Sequence, residues 1–106
     1  MTKIERTEHQ VVVRSGSATL TLDKEVGKVR MQRKLLFWAK KPLERALSDI
    51  ASIDMEGSVD RASGVELCRP MLVMHDGSAW ALPHTGQSDA AETASVLNDF
   101  LGLPGT

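Results

Sequence analysis

The sequence predicts a mainly β domain with one α-helix at its carboxyl end, and three observations carry that prediction. Apolar and polar residues alternate through much of residues 18–83, which is the period of half-buried strands. Turn-forming pairs, Asp76-Gly77 clearest among them, divide the alternating stretches. Near the carboxyl end the apolar spacing changes to steps of four and three, the period of a helix. A chain of 106 residues corresponds to one domain of the usual size of about 100–150 residues. Its 42% hydrophobic and 25% charged residues are those of a globular chain, which excludes wholesale disorder.

Taken in order, residues 1–9 read as a flexible amino-terminal arm. Val11, Val12 and Val13 form a β-branched strand that ends at the turn Ser15-Gly16-Ser17. Ala18, Leu20 and Leu22 then alternate with Thr19, Thr21 and Asp23. After a turn over residues 24–27, Val29, Met31, Leu35 and Phe37 share one parity, with Lys28, Arg30, Gln32 and Lys34 on the other. Arg33 interrupts the inward row, so a bulge or a shift of register is expected near it. Pro42 argues against a helix through RKLLFWAKKP, residues 33–42, because proline in a helix interior costs about 3 kcal/mol and pushes its predecessor toward extended backbone.

Leu43 and Leu47 indicate a short strand, followed by another in which Ala51, Ile53 and Met55 face inward. Residues 57–64, GSVDRASG, read as a polar loop. A long strand over residues 65–75 contains Pro70, which is expected at an edge or a bulge. Beyond Asp76-Gly77 the chain returns with Trp80 and Leu82 on one face. The helix over residues 88–101 lines up Ala90, Ala94, Leu97 and Leu101 beside Phe100, opposite Glu92, Ser95 and Asp99. Ser88 or Asp89 is expected to cap its start, and Gly102 with Pro104 to stop it. About seven strands followed by one helix fit a strongly bent antiparallel sheet, or a partly open barrel, capped by the helix.

The strings LTLDKEVGKVRMQRKLLFW, PLERALSDIASIDME, LVMHDGSAWALP and DAAETASVLNDFLGL carry a resemblance to pleckstrin-homology-like domains, in particular small bacterial forms. That resemblance implies a single such domain over residues 1–106, without catalytic activity, cofactor or metal. Phosphoinositide-binding relatives carry a lysine, a gap, and then a basic residue, any residue and an arginine; Lys24, Lys28 and Arg30 fit that form here. The tryptophan usual in the terminal helix of the eukaryotic domains is missing, Trp80 being in a strand.

Charge separates the remaining readings. The net charge is −1, yet residues 24–45 hold eight cations against two acids, and the rest of the chain holds five against twelve. Such a dipolar chain can orient on an anionic surface or pair head to tail with its own kind. The anionic-surface candidates are Lys24, Lys28, Arg30, Lys34, Lys40 and Lys41, and the candidates for an apolar protein interface are Leu36 and Trp38. Catalysis is not expected: His75 and Asp76 are adjacent, so in a strand they point to opposite faces and cannot form a triad with Ser78. His9, His75, His84 and Cys68 lack metal-ligand spacing. Two Phe, two Trp and no Tyr make too few stacking groups for nucleic acid.

The expected partner is therefore another protein or a second copy of the chain, with an anionic membrane surface as the alternative. The longest apolar run, residues 35–39, is far below the roughly 20 residues of a membrane span. A lone cysteine and an amino terminus without a secretory signal favour the cytoplasm, including the inner face of its membrane.

Overall fold

Alternation becomes strand along most of the chain. The computed structural model of the protein describes residues 2–35, 38–39, 43–59, 62–83 and 85–102. The strands are β1 (Thr2–Arg6), β2 (Gln10–Ser15), β3 (Ala18–Asp23), β4 (Lys28–Leu35), β5 (Trp38–Ala39), β6 (Leu43–Ala46), β7 (Ile50–Val59), β8 (Glu66–Met74), β9 (Ala79–Ala81) and β10 (Thr85–Gly86). A 3-10 turn, Leu47–Asp49, separates β6 from β7, and α1 (Gln87–Leu101) follows β10.

The mainly β class with one carboxyl-terminal helix stands, and among the described residues the strands form two antiparallel sheets, not one bent sheet, with no closed barrel. The first sheet runs β1-β2-β3-β4, with β5 and β6 both on the far side of β4. In the second, β8 is central, with β7 on one side and β9 and β10 on the other. Inward residues of both sheets meet α1 in one core: Val11, Val13, Leu20, Leu22, Val29 and Met31 face Ile50, Ile53, Leu72, Met74, Leu97 and Phe100. Burying a side chain of this kind stabilises by about 1.5–3 kcal/mol, so the paired inward rows hold the layers together.

Several expectations are corrected. Part of the arm of residues 1–9 is the edge strand β1, because Thr2 and Ile4 continue the inward parity and register with Ser15 and Val13. No bulge forms at Arg33: it stays in register with Ala18, and Nη2 donates to the Ala81 carbonyl of the second sheet at 2.6 Å. The long side chain leaves the inward row at its rim, so the strand need not bend. A register shift does occur between Ile50 and Ser52, which makes Ile50 rather than Ala51 the core residue; Met55 keeps the inward parity of Ile53 but is 41% exposed on this terminal strand. The β7–β8 hairpin reaches Val59 and restarts at Glu66, so the polar loop is shorter than expected.

Pro70 lies in the central strand of its sheet and is buried. Its carbonyl accepts from Leu82 N at 3.0 Å, beyond the end of β9 and before β10. In an antiparallel strand a residue's N and O point to the same side, so the missing N–H faces that interruption and no ladder bond is lost. At the Asp76-Gly77 hairpin Gly77 has φ 91, a conformation that favours glycine, and Met74 N donates to Ser78 O at 2.8 Å. Leu72 is paired with Trp80, as the parity of the returning strand requires.

The cap of the helix lies two residues before Ser88 and three before Asp89, the expected caps: it is Gly86, and no side chain caps the start. Strand β10 runs directly into α1, leaving Asp89 in the first turn, where a carboxylate favours the positive end of the helix dipole. Gly102 ends the helix at φ 68, its N–H donating to the Asn98 and Asp99 carbonyls.

Candidate interaction surface

The basic residues of the first sheet do not share a plane. Lys24 opens the β3–β4 turn, and its Nζ lies 4.5 Å from the centroid of the buried Phe100 ring. Lys28 points outward and donates to Glu44 Oε1 at 3.0 Å. Arg30 is exposed on the same face, directly across the ladder from Glu44. Lys34 is in β4 opposite Ala39, and Trp38 is in β5 opposite Leu35. Lys40, Lys41 and Leu36 lie outside the described residues. Arg33 and Arg45 share the inward parity, and both reach the second sheet.

Arg45 fastens the two sheets at one corner. From β6 its Nε donates to Asp49 Oδ2 at 3.2 Å and its Nη2 to Asp76 Oδ2 at 3.1 Å. Asp76 Oδ1 accepts from the Ser78 hydroxyl at 2.6 Å and from Ser78 N at 2.9 Å. Those Ser78 bonds, followed by the Arg45 guanidinium, lower the Asp76 carboxyl to about 2, and the two carboxylates raise Arg45. Both Asp76 oxygens thus serve the turn and the clasp, while His75 N donates to the Asp49 carbonyl at 2.9 Å. Among the described residues no group of three or more His, Cys, Asp or Glu could hold a metal ion. No helix there is long and apolar enough to cross a membrane.

A different feature, which sequence reasoning missed, has the geometry of a binding surface. Strand β7 is a terminal strand of its sheet, ten residues long. Because the Pro70 backbone is directed toward β9, the opposite residue Met55 makes no ladder bond to β8. The register is continuous from Ser52 to Val59, so the backbone N–H and C=O groups of Met55, Gly57 and Val59 point off the sheet at exposed positions, while Ile53, of the same parity, is buried. Among the described residues no strand pairs with that side. Such a row is a ready template for an added strand.

Side chains flank the row unevenly. Met55 and Val59 are 41% and 58% exposed. Asp54 is exposed on the outward face, where Glu56 accepts from Arg69 Nη2 at 2.8 Å. A hollow of about 420 Å³ beside the strand is lined by Ile53, Asp54, Met55, Glu56 and Met71. Strand alternation is blind to which neighbour a strand has, and Met55 reads as a core residue until the register is known. No known protein family, curated protein or solved structure matches the chain.

Proposed function

We propose that the chain is a non-catalytic binding and assembly module that takes up an extended polypeptide segment along the open edge of β7. The observation that carries this reading is the outward row of Met55, Gly57 and Val59 beside exposed apolar side chains. Main-chain hydrogen bonds supply affinity in strand addition, and alternate side chains supply selectivity. The pleckstrin-homology-like resemblance belongs to the same proposal, supported by two packed antiparallel sheets followed by a single helix. So does a cytoplasmic setting, supported by the lone Cys68.

The reading is tested by selecting decapeptides from a random display library on the wild-type chain and on Met55→Pro. Proline at this position removes an outward-facing donor and no ladder bond to β8. The expected peptides alternate apolar and polar residues, lack proline, and lose at least tenfold in affinity on Met55→Pro. Selected peptides that bind both proteins equally would refute the assignment of this edge.

A further inference from the structure

Charge in this chain is divided by layer. Residues 1–46, which supply the first sheet, carry eleven cations against five acids; residues 47–106, which supply the second sheet and the helix, carry two against nine. The division is sharper still near two edges. Residues 33–46, which include β6, hold five cations and one acid, Glu44, whereas residues 47–60 hold four acids and no cation. The acidic stretch contains β7, whereas the basic stretch runs into β6 on the far side of β4.

Each of these edges also leaves apolar side chains of inward parity uncovered. Leu43, in register with buried Met31, is 50% exposed; Met55, of the same parity as buried Ile53, is 41% exposed. We propose that the occupant of the β7 edge is a second copy of this chain, docked head to tail by its β6 edge. Leu43 of one copy then covers Met55 of the next, and the basic layer of one faces the acidic layer of the other. This inference rests on the reading of β7 as an interaction edge and names the partner.

The symmetric alternative is disfavoured by charge. Two β7 edges paired with each other bring Asp54 and Glu56 of both copies together, and like charges opposite one another destabilise a sheet. A contact between unlike edges does not use up both, so it propagates into a ring or an open chain. It also weakens as salt screens the layers, over a Debye length of about 8 Å at physiological ionic strength.

The test uses Met55→Pro, which blocks the acidic edge, and Leu43→Glu, which replaces the apolar contact at the other edge with an acid. Sedimentation equilibrium of the wild type is expected to show a weight-average mass that rises with concentration past that of a dimer and falls in 0.5 M NaCl. Each variant alone is expected to be monomeric, and an equimolar mixture is expected to form a species of twice the monomer mass, since one intact edge of each kind remains. Asp54→Lys in place of Met55→Pro is expected to give the same pattern without a backbone change. A mixture that stays monomeric while the wild type associates overturns the head-to-tail arrangement. A wild type that is monomeric throughout overturns the second-copy partner, yet leaves the β7 reading intact if selected peptides still bind. A monomer that instead sediments with phosphatidylserine vesicles in a salt-sensitive way assigns the basic layer to lipid and also overturns the inference.

Discussion

Lys24 heads the lysine-and-arginine pattern that the sequence offers for anion binding, but its ammonium sits over the face of Phe100, and that placement can be weighed. The ring is 1% exposed, and of the two cations beside it Lys24 is the nearer, with Nζ 4.5 Å from the centroid against 5.8 Å for Arg6 Cζ. A cation in that position contributes about 0.5–1 kcal/mol at an exposed site. Lys24→Met keeps most of the stem that covers the ring and removes the charge, so the expected loss is that amount. Phe100→Leu removes the ring while leaving an apolar residue on the helix stripe, at a cost of about 1–3 kcal/mol.

In the double variant the lysine term should vanish, leaving a coupling of about 0.5–1 kcal/mol between the two sites. Urea denaturation followed by the fluorescence of Trp38 and Trp80 measures each ΔG, provided the m-values agree. If Lys24→Met costs as much in the Phe100→Leu background as in the wild type, the ring contact contributes nothing. Arg6, with Cζ 5.8 Å from the same centroid and Nη1 2.7 Å from Asp99 Oδ2, should remain paired in all four proteins.

Acid should loosen the clasp between the sheets. The Asp76 carboxyl is lowered from 3.8 to about 2, so its contribution is fully present above about pH 4 and is lost as pH falls through 2. Asp76→Asn should therefore flatten the dependence of stability on pH between 4 and 2, and equal slopes for the two proteins would contradict the Ser78 and Arg45 contacts that hold this carboxylate. Leu97→Ala, at a fully buried position of α1 facing the second sheet, should cost about 2–5 kcal/mol in thermal or urea unfolding. A loss below about 1 kcal/mol would mean that the helix is not docked as described.

Fold class was legible because period and burial are the same physics: Leu20, Leu22, Val29 and Met31 alternate in the sequence and line one wall of the core. The helix was legible for the same reason, although its start was not, since Gly86 replaces a capping side chain with a strand that runs straight in. What alternation does not encode is adjacency. Thr2 and Ile4 looked too short a pattern for a strand until Ser15 and Val13 were found beside them. Pro70 looked like an edge residue, whereas its absent N–H needed only a local gap, and that gap sets which β7 amides face outward. The candidate site divides the same way. Lys28 and Arg30 face outward as parity requires, but their carboxylate neighbour Glu44 arrives from a strand that the sequence does not place.

The claim on which the functional reading depends is that every second amide of β7 from Met55 to Val59 is open. Amide hydrogen exchange resolved by residue, at a protein concentration low enough to exclude association, tests it directly. The account predicts slow exchange at Asp54 and Glu56, whose amides face β8, and fast exchange at Met55, Gly57 and Val59, with protection of the fast set appearing as concentration is raised. Uniform protection along β7 in the dilute monomer would contradict it.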